Sequence, residues 1–456
     1  MTYLAMDIGA SSGKLVKARL EDGRIVTQVV HRFENTQRII DGHLCWDIEM
    51  LYREMVAGLR KAGGADYITI DTWAVDYVLL DAEDRLLTPA VAYRDGRTDQ
   101  VACPVSREEL YRRTGIQHQK FNTVYQLLAQ KAENPDILEK AHSLLFIPDY
   151  LAFRLTGVKV QEYTNASTSG LLKAGGREWD RDLIDGLGLP QRLFGDLSMP
   201  GTVLGPVRED IGYDATFILA PTHDTASAVL ASPLGATSLF LSSGTWSLLG
   251  CISDRAYTDD GARLANLTNE GADDGRIRLL KNIMGTWMLQ SIRREAGDDV
   301  SFDDMVAMAR KSPLAGLVDP MDDRFLAPHS MTREVSDAIA EQGLPRPEGL
   351  GEVANVVYHS LADAYARSIR QLEDITGRRF THLAIVGGGS RDGYLNTLAG
   401  RYTGLEITTG PQEGSATGAL LSAMMHTGLI RREDIVRILT SSFDIGHITQ
   451  EEDNVQ

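Results

Sequence analysis

Apolar positions along the first thirty residues fall in short β-rich runs separated by small or turn-forming residues. The pattern predicts a meander: a strand from Tyr3 to Ile8, a turn Gly9-Ala10-Ser11-Ser12-Gly13, a strand from Lys14 to Leu20 and, after Asp22-Gly23, a strand from Arg24 to Val30. Asp-Gly between two such runs is a hairpin signal, because both residues tolerate positive φ. An amphipathic stretch over Ile48 to Leu59 and a buried-type strand from Ile68 to Trp73 follow. Strands and helices alternate, which argues an α/β architecture.

Residues 107 to 200 read as more helical and irregular, with candidate helices at Val124 to Ala132 and Asp149 to Leu155, and form an insertion that shapes one side of a cleft. The breaker cluster Ser232-Pro233-Leu234-Gly235 opens a second unit: a strand from Ser238 to Leu241, the turn Ser242-Ser243-Gly244-Thr245 and a strand from Trp246 to Cys251. This order of strand, small-residue turn and strand echoes residues 3 to 20, so the two halves read as versions of one domain. An apolar stripe over Val353 to Thr376 predicts a long helix that stops at Gly377. A strand from Leu383 to Val386, a triple glycine and a helix from about Asp392 come next. The expected domains are residues 1–231 and 232–446, with a polar tail 447–456 whose Glu451-Glu452-Asp453 is read as frayed.

Composition narrows the function. The chain has 456 residues, 43% hydrophobic and 24% charged, with a formal charge of −17. It is long enough for two or three domains with their own cores, and its average field repels a polyanion, so nucleic acid is an unfavourable partner. Cys45, Cys103 and Cys251 are odd in number and lack metal-ligand spacing, which suits a reducing compartment. The start Met1-Thr2-Tyr3-Leu4 has no secretory pattern, and the uncharged run from Thr225 to Ser253 is broken by Pro233, three glycines and many Ser and Thr residues. Neither export nor a membrane span is expected. The cytoplasm is the default, and monomer and homodimer both remain open.

Four constellations can carry chemistry. In Asp7-Ile8-Gly9-Ala10-Ser11-Ser12-Gly13-Lys14, a turn of small residues between strands leaves amides free for phosphate oxygens, Lys14 adds a cation, and Asp7 can hold Mg²⁺ through water. A hairpin without a ligand explains the same residues equally well. Leu241-Ser242-Ser243-Gly244-Thr245-Trp246 is the matching turn, and Thr245 offers a hydroxyl and an amide to the far side of a polyphosphate. In Thr222-His223-Asp224-Thr225, a polar cluster opens a small-residue helix. Asp224 there is either a helix cap or a base kept ionised by the helix N-terminus. Gly387-Gly388-Gly389 after a strand lets a flat ligand lie on bare backbone, or is a plain turn. Asp76 and Asn282 can hydrogen-bond hydroxyl groups, or cap locally. Trp73, Trp246 and Trp287 read as core, and His118, His142 and His382 as surface or satisfied residues.

Taken together, these segments resemble the FGGY carbohydrate kinases of the actin/hexokinase superfamily. The likeness extends through Asp71-Thr72-Trp73, Val75-Asp76, Ala92-Tyr93-Arg94-Asp95, Tyr163-Thr164-Asn165-Ala166, His223 to Val229, Leu241 to Ser247, Lys281-Asn282-Ile283-Met284-Gly285 and Val386 to Gly389. The resemblance implies an α/β fold of two ribonuclease-H-like domains flanking a central cleft, and ATP- and Mg²⁺-dependent phosphorylation of a small ketose. By that resemblance Asp224 is the proton acceptor. Ala74, Asp76, His223, Thr225 and Asn282 are expected at the sugar. Ala10, Ser11, Ser12, Gly13, Lys14, Thr245, Gln290, Gly387, Gly388 and Gly389 are expected at ATP. Two positions depart from the pattern: Ala74 replaces a usual glycine, which bears on the choice among 6-deoxy-ketoses and pentuloses, and Lys14 replaces a usual arginine, losing the planar fork.

Two other readings stay open at this level. An actin-like regulator would bind nucleotide without sugar-dependent turnover, and the His223-Asp224-Thr225 cluster counts against it. An oxidoreductase would build on the triple glycine, but no N-terminal Gly-x-Gly-x-x-Gly unit is present.

Overall fold

The computed structural model describes residues 1–297, 299–326 and 328–448, so the acidic run Glu451-Glu452-Asp453 lies outside the described residues. The chain divides into two compact units. The first comprises Met1–Ala231, Ile252–Leu279 and Gly414–Ser442, and the second Ser232–Cys251, Leu280–Glu413 and the chain from Phe443 onward. The break after Ala231 falls at the Ser-Pro-Leu-Gly cluster. Residues 252–279 and 414–442, which follow the expected boundary in sequence, pack with the first unit. The physical reason is packing: the helix Gly414–His426 lies against the strands Thr2–Ile8 and Tyr67–Thr72 and the helix Asp224–Leu230. Gly418 permits this approach, since a Cβ there would strike the Ser227 backbone.

The first unit is built on six strands in the order Val203–Pro206, Thr216–Ile218, Tyr67–Thr72, Thr2–Ile8, Ser12–Glu21, Arg24–Glu34. Thr2–Ile8 pairs antiparallel with Ser12–Glu21 and parallel with Tyr67–Thr72. From Tyr3 to Ile8 every residue is buried, as a central strand covered on both faces requires. The hairpin at Asp22-Gly23 has φ of 48° and 75°, the twist-compatible geometry that Asp-Gly favours. The helix Ile48–Ala62 starts where the Asp47 carboxylate accepts from the Met50 amide at 2.9 Å, and buries Leu51, Met55 and Leu59 against the sheet. The insertion has a separate apolar cluster, with Leu110, Val124, Leu127, Trp179 and Phe194 at its centre.

The second unit repeats the plan. Its strands follow the order Ile277–Met284, Trp246–Ser253, Ser238–Ser243, His382–Val386, Glu406–Thr409, with Gly446–Ile448 beyond. Ser238–Ser243 again pairs antiparallel with the next strand and parallel with the fourth. The helix Gly349–Thr376 ends at Gly377, whose φ of 68° is the left-handed cap glycine adopts readily. Among the described residues no helix is long and apolar enough to cross a membrane. All three cysteines are free thiols.

Candidate active site

Three carboxylates gather at the strand ends of the first unit. Asp7 and Asp71 are register partners across a parallel pair, and Lys14 is the hairpin partner of Asp7. The Lys14 Nζ sits 3.1 Å from Asp7 Oδ2, so the cation expected at phosphate is engaged with the acidic cluster. The same oxygen accepts from the Ala416 amide at 3.2 Å, in the first turn of the helix Gly414–His426. Asp71 is fully buried, and among the described residues no N–H group donates to either of its oxygens. Burial first, and then the charges of Asp7 and Asp224, push its carboxyl well above the usual range. The turn itself is closed by the Gly9 amide on Ser12 O at 2.8 Å and by Asn35, while Ser11 and Ser12 are exposed. Gly13 owes its identity to packing, since a Cβ there would enter the Phe33 ring.

The segment Thr222-His223-Asp224 continues the sheet. The Thr72 amide donates to Thr222 O at 2.8 Å, and Thr72 forms a parallel bridge with His223. Glu162, buried, accepts from the Thr222 hydroxyl at 2.7 Å and the Thr164 hydroxyl at 2.6 Å. The Thr164 hydroxyl in turn accepts from the His223 amide at 3.3 Å. This clamp fixes where the helix Asp224–Leu230 begins. His223 occupies the cap position without a side-chain cap bond, and Asp224 is the first helical residue, so the capping reading does not hold. Asp224 Oδ1 accepts from the Thr225 amide at 2.6 Å and the Thr225 hydroxyl at 3.2 Å, while Oδ2 takes no hydrogen bond among the described residues. The helix N-terminus does not keep this acid at an ordinary value: burial, followed by the Asp7 charge, pushes it up to about 7. His223 is driven the other way, well below the usual imidazole range, by burial and by the neighbouring Arg278 charge.

Arg278 and Glu270 escaped sequence reasoning. Arg278 is fully buried, donates from Nε to Gly271 O at 2.8 Å, lies 3.1 Å from Glu270 Oε2, and reaches His223 Nδ1 at 3.0 Å. No local spacing announces a pair more than forty residues from the histidine it serves. The helix Gly414–His426 was also missed, although the run Gly414-Ser415-Ala416-Thr417-Gly418 is the kind of small-residue start that permits close packing.

On the expected sugar side, Ala74 is half-buried. Asp76 is buried and already occupied. Its carboxylate accepts from the indoles of Trp46 at 2.6 Å and Trp73 at 2.9 Å, from Gln126 at 2.8 Å and from the Tyr93 amide at 3.1 Å. Burial nevertheless outweighs these bonds and raises it to about 6. Asp76 therefore anchors the wall of the site. Between them Val75 has a φ of 68°, strained for a β-branched residue, and its carbonyl accepts from Thr123 Oγ1 at 2.7 Å.

The second unit collects the expected ATP-side residues. Thr286 binds Gly244 O through its amide at 2.9 Å and its hydroxyl at 2.7 Å, and Gln290 donates to that hydroxyl at 2.9 Å. The Gly285 amide donates to Thr245 O at 3.1 Å. Gly387, at φ 86°, and Gly389 pack on Ser243: a Cβ on Gly387 would lie 2.9 Å from Ser243 O, and one on Gly389 would strike the Ser243 hydroxyl. Gly388 is exposed with open space where a Cβ would stand. Thr245, Gln290 and the glycines are thus brought together. Asn282, expected at the sugar, belongs to this unit, on the strand that leads into Gly285. Trp246 and Trp287 are half-buried at this end rather than core.

The donor set bears on a metal. The carboxylates of Asp7 and Asp71 are hard oxygen ligands, and both Asp71 oxygens are buried without a hydrogen-bond donor among the described residues. Among the described residues no three His, Cys, Asp or Glu side chains form a closed metal site. Such a set fits Mg²⁺ that brings most of its ligands as water and phosphate oxygens.

Two sheets with the same central pairings, an acidic cluster in one and glycine-floored turns in the other, define a two-domain sugar kinase. Residues 2–231 match the N-terminal domain, and residues 239–427 the C-terminal domain, of the FGGY family of carbohydrate kinases, and the chain belongs to that family. It is 44% identical over 455 residues to the rhamnulokinase of Oceanobacillus iheyensis, covering 97% of each chain. It is 42% identical to the rhamnulokinase of Halalkalibacterium halodurans, covering 98% of each. The fold is shared with the gluconate kinase of Lactobacillus acidophilus, at a TM-score of 0.80 and 18% identity, with 98% of this chain and 92% of that one covered.

Proposed function

We propose that this chain transfers the γ-phosphoryl group of ATP to the 1-hydroxyl of L-rhamnulose, giving L-rhamnulose 1-phosphate and ADP. The observation that carries the chemistry is Asp224: a carboxylate pushed up to about 7, with one oxygen held by Thr225 and the other without a protein donor. A base is most effective when its affinity for protons lies near the working pH. The choice of ketose is supported by the rhamnulokinases that the chain resembles over nearly its whole length.

In this reading Asp224 removes the proton of the 1-hydroxyl as the oxygen attacks the γ-phosphorus. Phosphoryl transfer passes through a loose transition state, so most of the acceleration comes from in-line placement and charge neutralisation, and the base adds about 10²–10⁴-fold. Ser11, Ser12 and Lys14 in the first unit, and Thr245, Gln290 and Gly387 to Gly389 in the second, are the residues assigned to the nucleotide. Asp7, with Asp71 beside it, would hold Mg²⁺, which when bound neutralises phosphate charge. His223, Thr225 and Ala74 are assigned to the ketose, with Asp76 acting through the indoles it anchors. The reaction is placed in the cytoplasm, which the three free thiols favour.

Ala74 favours a second reading within the same chemistry, a kinase for L-fuculose, L-xylulose or ribulose, because a methyl group at that wall discriminates among sugars by about 1–3 kcal/mol. Coupled ADP release measured across the four ketoses, with a no-sugar control, tests both. A kcat/KM highest for L-rhamnulose is expected. A higher value for a pentulose moves the assignment, and sugar-independent ADP release sinks the kinase reading.

A further inference from the structure

Histidine beside aspartate at a proton-transfer site poses a choice, because imidazole is by type the commoner base. Hydrogen-bond geometry decides which nitrogen of His223 carries the proton. Its Nδ1 lies 3.0 Å from Arg278 Nη2, and its Nε2 lies 3.4 Å from Asp224 Oδ1. A guanidinium has only donors, so the atom that receives its N–H must present a lone pair. Among the described residues the alternative acceptor for a protonated Nδ1 is Glu270 Oε2, at 3.6 Å, beyond hydrogen-bond reach and farther than the arginine. Glu270 Oε2 forms an ion pair with Arg278 Nη2 at 3.1 Å without hydrogen-bond geometry, and Gly271 O takes the arginine Nε. An imidazolium would have to sit against a buried guanidinium, which like charges in a poorly solvated site oppose.

We propose that Glu270 and Arg278 are positioning residues that fix His223 as a neutral Nε2–H tautomer aimed at Asp224, which disqualifies the histidine as the base and orients the carboxylate that serves as one. The tautomer follows from the bond made by the other nitrogen. Nε2 lies 3.4 Å from Oδ1, an electrostatic contact without hydrogen-bond geometry, and the Thr225 bonds hold the same oxygen, which leaves Oδ2 as the atom for the substrate hydroxyl. The inference rests on the reading of Asp224 as proton acceptor for its functional half, while the tautomer itself is a property of the free protein.

The test combines imidazole NMR and kinetics on the full chain. Long-range ¹H–¹⁵N correlation on ¹⁵N-histidine protein, with the His223 signal assigned by its loss in His223→Gln, is expected to show the proton on Nε2 and no titration across neutral pH. In Arg278→Met the tautomers should mix, and kcat should fall about 10²-fold, the scale of a misplaced catalytic group, with the ATP KM little changed. Arg278→Lys, which still donates, should recover part of the loss. Should Arg278→Met fail to fold, the isosteric Glu270→Gln loosens the same arginine, and circular dichroism establishes that it is folded. A wild-type His223 protonated on Nδ1 overturns the proposal, as does a folded Arg278→Met or Glu270→Gln protein with wild-type tautomer and kcat. Near-normal turnover by Asp224→Asn, with the tautomer intact, would instead refute the assignment of the base.

Discussion

The two units share their central pairings, with the last two strands exchanged in order at one edge, yet their strand ends carry opposite chemistry. In the first, the register pair at the tips of the first and fourth strands is Asp7 and Asp71. In the second, the corresponding parallel pair runs to Ser242 and Val386 and opens onto Gly387. The strand paired parallel with the fourth is Thr216–Ile218 in the first unit, which leads to His223 and Asp224, and Glu406–Thr409 in the second, which leads to Gly410-Pro411. A duplicated scaffold thus supplies two platforms. One accumulates buried negative charge at a cost in stability, and the other clears side chains away so that backbone is accessible. The comparison teaches that the fold fixes where chemistry sits, while a handful of tip residues decides whether a platform reacts or holds.

The largest expected effect comes from neutralising the reactive platform. Asp224→Asn should lower kcat by about 10²–10⁴-fold in the coupled ADP-release assay, with the ATP KM within a few-fold of wild type. Turnover near wild type in a folded Asp224→Asn protein would erase the distinction between the two platforms.

The same acid sets the pH response. A base with its affinity near pH 7 is ionised above that value, so kcat/KM should climb tenfold per pH unit up to about 7 and then level, leaving roughly 10²-fold less activity at pH 5 than on the plateau. Stability should move in the opposite sense. A carboxyl raised above its unfolded value favours the fold at low pH and penalises it as pH rises through the folded value. Asp224→Asn should therefore melt higher than wild type at pH 8 and no higher at pH 4. Identical melting shifts at both pH values would count against a raised carboxyl at Asp224.

The holding platform should respond in KM. At Gly244 a Cβ would meet only Trp246 O, at 3.8 Å, so Gly244→Leu projects into open space and leaves the fold intact. We expect the ATP KM to rise about tenfold or more, a loss near 1.4 kcal/mol, with kcat largely kept. An unchanged KM would remove this turn from the nucleotide site.

Much of this division was legible in the sequence because it is written in short local patterns. Asp22-Gly23 announces its hairpin, the stripe from Val353 to Leu372 its helix, and Thr222-His223-Asp224 its reactive cluster. Illegible parts depend on groups that meet only through the fold. Arg278 and Glu270 sit on neighbouring strands with no spacing signature, and their role exists only because His223 is folded against them. Asp76 was legible as polar but not as the partner of Trp46, thirty residues away. Gly13 looked like a phosphate glycine, whereas the Phe33 ring dictates it. Residues 414–442 come late in the sequence and join the first unit because the helix Gly414–His426 packs on its central strands and on the helix Asp224–Leu230.

The smallest effect tests strain. Both units need positive φ just after the fourth strand: the second uses Gly387 at 86°, the first Val75 at 68°. Glycine adopts that conformation freely, whereas a non-glycine residue held there costs about 1–3 kcal/mol. Thr123 and Gln126 hold the Val75 carbonyl in place, and that turn sets the position of Ala74 and Asp76. Val75→Gly forfeits about 1.5–3 kcal/mol of side-chain burial but relieves the strain, so the net loss should be about 1 kcal/mol. Val78, also buried but in an ordinary strand conformation, has no strain to relieve, and Val78→Ala should cost on the order of 2 kcal/mol despite the smaller truncation. Urea unfolding of the two variants measures the difference. If Val75→Gly proves the more destabilising, the left-handed valine is not strained, and the two units differ at this turn in sequence alone.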